Sequence, residues 1–149
     1  MTRDEAEAIV ANDRGGRSWA EDYPTPGDIR VATAALAGGH SFASDAMPWG
    51  LFTIVDRARA CNIGGIGFKS SPDDAGEVEI GYGVCASHWG RGVATDAVNA
   101  LCDFARVGAR VVLAETDREN AASQRVLQKC GFTRDEATDT MIRWKKILA

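Results

Sequence analysis

The chain has 149 residues, of which 45% are hydrophobic and 26% charged, with a net charge of −4. That length supports one domain, residues 1–149, able to hide roughly 68–70% of its unfolded surface. The acidic balance excludes a basic nucleic-acid-binding field. The charged start, Met1-Thr2-Arg3-Asp4-Glu5, has no apolar run behind it, so it is no signal peptide, and no later run nears the ~20 residues of a membrane span. The reading is a cytoplasmic protein that does not enter a membrane. Cys61, Cys85, Cys102 and Cys130 stand far apart, with only His40 and His88 to accompany them, which argues for reduced thiols and against a metal site.

In chain order, Asp4 to Asn12 reads as a short helix with acids in its first turn, stopped by Gly15-Gly16. The loop from Ser18 to Pro24 holds Trp19 and Tyr23, which serve equally as plugs that hold it down or as walls of a substrate-binding pocket. Thr25-Pro26-Gly27-Asp28 is a helix start, with Thr25 as cap, Pro26 at the first helical position and Asp28 three residues after the cap. That helix runs to Ala37 and Gly38-Gly39 ends it; His40 to Gly50 is loop. Strands at Leu51–Val55, Cys61–Lys69 and Glu77–Cys85, joined by short turns, make an antiparallel meander.

Glu77–Val107 is the most informative stretch. Alternation puts Val78, Ile80, Tyr82 and Val84 on one strand face and Glu79, Gly81 and Gly83 on the other. The glycines bare the face that carries Glu79, as if a carboxylate overlooked a groove where a cofactor chain lies along the strand. After the turn Ala86-Ser87-His88-Trp89, Gly90-Arg91-Gly92-Val93-Ala94-Thr95 opens a helix whose stripe is Ala94, Val98, Leu101, Cys102 and Ala105. Unpaired N–H groups at such a helix start suit a phosphate, and glycines let it come close. No Gly-Lys-Ser/Thr follows, so this is no Walker-type loop, and Gly81-x-Gly83 lies inside a strand, which excludes a dinucleotide fingerprint. Arg110–Thr116 is a strand that should lie parallel to Glu77–Cys85. Asn120 caps the helix Ala121–Lys129, Phe132–Arg134 is a short strand, Asp135–Asp139 turns, and Thr140–Ile147 is the last strand. The fold class is α+β: a mixed, mainly antiparallel central sheet with helices on both faces.

Three stretches together, Glu79-Ile80-Gly81-Tyr82, Trp89-Gly90-Arg91-Gly92-Val93-Ala94-Thr95 and Asn120-Ala121-Ala122-Ser123-Gln124-Arg125-Val126-Leu127-Gln128-Lys129-Cys130-Gly131-Phe132, resemble the GCN5-related N-acetyltransferase (GNAT) superfamily, and within it the RimJ and RimL type of ribosomal-protein N-acetyltransferases. The likeness runs from Leu51 to Leu148 and, more loosely, through Trp19–Pro24 and the helix after it. It implies bound acetyl-CoA. The pyrophosphate would meet backbone amides of Gly90, Arg91, Gly92, Val93, Ala94 and Thr95, beside Trp89. The pantetheine arm would lie along Tyr82, Gly83, Val84 and Cys85, where that strand splays from Arg110–Thr116, with Asn120 and Ser123 near the thioester. The implied reaction is direct attack by a primary amine, of a protein N-terminus or a small molecule, with Glu79 or Glu115 as general base. Backbone N–H groups near Cys85 would polarise the acetyl carbonyl.

Three departures from the family pattern stand out. Trp89 replaces the usual Gln or Arg. Leu127 stands where some relatives carry a tyrosine proton donor, leaving that task to Ser123 or water. The strand that normally precedes the first helix has no room in Met1-Thr2-Arg3. The last two keep an alternative open, a CoA-binding or interaction module with little or no turnover. Specificity is expected in Ser18–Pro24, His40–Gly50 and Asp135–Thr140, and a homodimer stays open.

Overall fold

Local signals set the helices and the apolar alternation sets the sheet. In the computed structural model, which describes residues 1–44 and 47–149, the helices are α1 (Arg3–Ala11), α2 (Pro26–Leu36), α3 (Val93–Ala105) and α4 (Ala121–Lys129). The strands are β1 (Leu51–Asp56), β2 (Cys61–Phe68), β3 (Glu77–Val84), β4 (Val111–Asp117), β5 (Thr133–Ala137) and β6 (Met141–Ile147). They form one sheet in the order β1-β2-β3-β4-β6-β5, antiparallel at every junction except β3–β4. The fold is thus the expected α+β arrangement. Among the described residues no strand precedes α1, and no helix is long and apolar enough to cross a membrane.

Thr25 and Asp28 close a capping box at the start of α2, with Pro26 in its first turn. Thr2 and Glu5 do the same for α1. That helix ends where expected, at Asn12, but the stop is Asn12 itself in the left-handed conformation (φ 49°) and not Gly15-Gly16. The loop expected from His40 to Gly50 is seen on either side of residues 45 and 46, which lie outside the described residues; within it Phe42 bridges to Leu51.

The main core lies on one sheet face. Ile66, Phe68, Val78, Ile80, Val112, Ala114, Ile142 and Trp144 meet Val98, Leu101, Cys102 and Ala105 of α3 and Leu127 of α4. The Trp144 indole donates to Thr116 Oγ1 (2.9 Å), so its one polar atom is satisfied. The opposite face carries α1 and α2, around a smaller core that includes Ala6, Ile9, Trp19, Tyr23, Ala32 and Cys85. β5 corrects the sequence reading, which ended the strand at Arg134: it runs on to Ala137 through a register shift against β6. All five of its residues are exposed, so no apolar alternation marked it; backbone pairing with β6 holds it, helped by Arg134, which lies over the Trp144 ring and donates to Gln124 Oε1.

Leu127, fully buried, fills the place where a tyrosine was contemplated. Leu127→Ala should therefore destabilise the fold by about 2–5 kcal/mol, read as a lower urea midpoint at unchanged slope; a midpoint within error of wild type would contradict its place in the core.

Candidate active site

The site begins where the one parallel pairing stops. β3 and β4 pair from Glu77–Val111 to Ile80–Ala114, and beyond that β4 continues only with β6. On its other side β3 stays in register with β2, and Cys85 N–H donates to Ile63 O at 2.8 Å. In an antiparallel pair alternate residues turn their backbone groups to opposite edges. Gly81, Gly83 and Cys85 therefore bond toward β2, while Tyr82 and Val84 turn theirs into the gap left by β4. The Val84 carbonyl is taken by the Trp89 indole (2.7 Å).

On the α3–α4 side the gap opens into a cleft of about 600 Å³. Tyr82, Gly83, Val84, Trp89, Gly90, Gly92, Val93, Ala94, Thr95, Asn120 and Ser123, all positions expected to meet a cofactor, line it together. Gly92 begins α3 at φ 80°, where a side chain would be strained, and no side chain caps the helix. Asn120 Oδ1 accepts from Ser123 N–H (3.0 Å) and so starts α4. The Tyr82 hydroxyl reaches across the gap to Ser123 Oγ (2.6 Å), and burial pushes its phenol pKa up, so it keeps its proton at neutral pH. Trp89 is 70% exposed and pinned at the rim.

Several sequence-predicted positions fall elsewhere. Cys85 is wholly buried, with its thiol pushed up to about 12 by burial; its N–H belongs to the β2 ladder and cannot polarise a bound carbonyl. Arg91 is exposed and lines neither cleft described here. Trp19 and Tyr23 are 9% and 1% exposed, with rings edge to face at 5.3 Å. They plug the small core rather than wall a substrate, so the packing reading of that loop is the one observed. Sequence reasoning missed Arg125 and Lys129, which line the cleft together from one side of α4. Their four-residue spacing was the available signal.

A second cleft, of about 240 Å³, opens on the α2 side. It shares Tyr82 and Gly83 with the first and is lined also by Gly81, Gly65, Asp28 and Lys69. The bare glycine face of β3 thus corrects the reading of a cofactor groove: Gly81 opens only onto this second cleft. Glu79 lies on the same sheet face and is bonded to Lys69 Nζ. Glu115 is exposed, one step beyond the last β3–β4 pair, and opposite Arg143 of β6.

The turn before the glycine loop is tied down from both sides. Asp22 accepts from Ser87 N–H (2.9 Å) and Ser87 Oγ (2.7 Å). Buried His88 meets Ser87 Oγ through Nδ1 (2.9 Å) and Asp56 Oδ2 through Nε2 (3.1 Å). The Ser87 hydroxyl holds the Asp22 carboxyl below its usual range, and the His88 ring does the same for Asp56.

Residues 1–133 match the family model described as "Acetyltransferase (GNAT) domain". The chain belongs to the GNAT acetyltransferase family. Over 84 residues it is 31% identical to YjdG, an uncharacterized N-acetyltransferase of Bacillus subtilis, covering 55% of this chain and 50% of that protein. It thus spans about half the length of the curated relatives it matches. Its fold is similar to that of the ribosomal-protein-S5-alanine acetyltransferase of Vibrio fischeri, with TM-score 0.64 and 18% identity over 99% of this chain and 90% of the other. A variant of the spermidine N-acetyltransferase SpeG of Vibrio cholerae is similar at TM-score 0.66, 17% identity and 99% and 92% coverage.

In this GNAT domain the depressed Asp22 and Asp56 contribute stability that is complete above their ordinary value of 3.8 and lost as pH falls below it. Asp22→Asn should therefore lower the melting temperature most at neutral pH, and the deficit should shrink on acidification below that value. A deficit that stays constant across the acid limb would contradict the sign.

Proposed function

We propose that this protein is an N-acetyltransferase that takes its acetyl group from acetyl-CoA and gives it to a primary amine. One observation carries the reading: the two clefts share Tyr82 and Gly83 at the point where β3 and β4 have stopped pairing. A donor on the α3–α4 side and an acceptor on the α2 side can meet through that gap. When bound, acetyl-CoA supplies an acetyl group already activated as a thioester. Four free cysteines, three of them buried, agree with a cytoplasmic setting.

The residues present fit such a donor. α3 opens with no side-chain cap, and a Cβ on Gly90 or Gly92 would meet nothing within 4 Å, so N–H groups and space are both offered to a pyrophosphate. Arg125 and Lys129 bring positive charge to the same cleft. Edge groups of Tyr82 and Val84 take over the role first assigned near Cys85, of meeting amide and acyl oxygens. The paired hydroxyls of Tyr82 and Ser123 hold, at the gap, the proton a departing thiolate needs. That arrangement offers an alternative to the tyrosine missing at Leu127.

An ammonium group must lose a proton before it attacks. Of the two glutamates the reading favours Glu115, next past the last β3–β4 pair, whereas Glu79 is engaged by Lys69; neither lines either cleft, so the proton passes through water. In this reading both Gln variants keep the donor cleft intact.

Saturating acetyl-CoA should raise the melting temperature by several degrees, the effect of the about 2.7 kcal/mol expected at a hundredfold excess over Kd; NAD and ATP should not. No shift would count heavily against the reading. Glu115→Gln should lower kcat about 100-fold or more while that thermal shift persists, and Glu79→Gln should cost far less. If thiol release is unchanged in both variants, neither glutamate is the base.

A further inference from the structure

The floor of the α2-side cleft has no side chains. Gly65 and Gly67 of β2 stand opposite Gly83 and Gly81 of β3, on the sheet face away from the main core. Two of the four are explained by neighbours. A Cβ on Gly67 would come within 2.6 Å of the Gly50 carbonyl oxygen, and one on Gly65 would meet Asp28 Oδ1 at 3.0 Å. Gly81 and Gly83 have no such reason, because a Cβ on either would meet nothing within 4 Å. Glycine inside a strand weakens it, so two strand glycines facing open space point to clearance for something outside the fold.

Asp28 hangs over that floor. It is only 6% exposed. Its Oδ2 accepts from Thr25 N–H (2.9 Å) and Thr25 Oγ1 (2.6 Å), whereas Oδ1 receives no hydrogen bond among the described residues. Oδ1 lies over Gly65, one strand from Gly83, the residue both clefts share. Asp28 Oδ1 is not fully enclosed, so it is open to the cleft, where a bound cation would meet an acceptor that α2 capping leaves unused. Among the described residues lining the cleft, Asp28 is the one carboxylate, Val31 and Leu51 are apolar, Arg30 is cationic, Lys69 is paired with Glu79, and the Met1 ammonium is engaged by Leu51 O and Glu5. The arrangement suits an ammonium at the inner end, an aliphatic stem along the glycines and no second positive charge.

We propose that Asp28 Oδ1 anchors the acceptor's ammonium, and that the acceptor is a small primary amine on an unbranched stem whose far end is neutral or anionic. The word acceptor rests on the transferase reading; binding of the amine does not. Asp28 acts here as a positioning residue, with α2 capping as its second task.

The test is a titration of the protein, without acetyl-CoA, followed by amide NMR. The amines are n-hexylamine, ε-aminocaproate, hexamethylenediamine and the branched tert-butylamine. Saturable shifts at Gly65, Gly81 and Gly83 are expected with the first two, weaker with the diamine and absent with the branched amine. Asp28→Asn, which keeps an oxygen for the Thr25 N–H, should weaken binding about tenfold or more, the scale of one lost charged hydrogen bond. Gly81→Val, whose side chain enters open space, should abolish binding without lowering the melting temperature. The proposal is overturned if wild type shows no saturable shift, if either variant binds n-hexylamine as wild type does, or if the branched amine or the diamine binds best. Amine binding that depends on Asp28, without any thiol release from acetyl-CoA, would uphold the anchor and count against the transferase reading.

Discussion

The end of the β3–β4 pairing at Ile80–Ala114 is the constraint on which the rest of the site depends. Up to that point β3 and β4 share one parallel ladder. Past it, β4 follows β6, β3 follows β2, and Tyr82 and Val84 are left turning backbone groups toward a space no strand fills. Edge groups of this kind need partners, and the protein supplies only some. The Trp89 indole takes the Val84 carbonyl, and the Tyr82 side chain spans the gap to α4. The opening is therefore shaped by side chains from both flanks, and the Asp22–Ser87–His88–Asp56 network fixes the turn that leads from it to α3.

Much of this could be read from the sequence because the responsible signals are local. Gly90-Arg91-Gly92 before an apolar helical stripe marks a helix that buries one side and presents its N-terminus, and α3 does so. Alternation in Glu77–Cys85 assigned Val78 and Ile80 to the core and the glycines to the other face. What escaped was set by tertiary partners. Cys85 continues a strand pattern, yet its N–H is spent on Ile63, and whether an edge is free depends on which neighbour is present. Trp19 and Tyr23 had two plausible uses until α1 and α2 closed a core around them. β5 carries no apolar residue that is buried, so its place depends on tertiary partners, the β6 ladder and the contacts of Arg134 with Trp144 and Gln124.

Asp28 illustrates a different reason for a miss. Its spacing from Thr25 is a complete account of a helix start, and the capping box is indeed formed. A carboxylate has two oxygens, however, and capping occupies one of them. The second oxygen gained a purpose only when β2 placed Gly65 beneath it, a contact across 36 intervening residues that no local pattern encodes. Burial raises the Asp28 pKa, the sign expected where desolvation outweighs the two Thr25 hydrogen bonds. The same desolvation strengthens any attraction between its charge and a bound cation.

The two clefts differ in their charged lining, and one layer of backbone separates them. Arg125 and Lys129 line the larger, while the smaller holds its single described carboxylate near the shared wall, with Arg30 and Lys69 also in its lining. A donor and an acceptor on opposite faces of a sheet would ordinarily be kept apart by two layers of side chains, one on each face. Here the β3 strand at the crossing is Gly81-Tyr82-Gly83. The glycines remove the layer on the α2 side, and Tyr82 turns its ring to the α3–α4 side, where its hydroxyl meets Ser123. In the transferase reading, the glycines thin the partition and the absent β4 pairing opens it. Either alone would leave the reacting atoms on separate sides, so the strand composition and the splay are parts of one device.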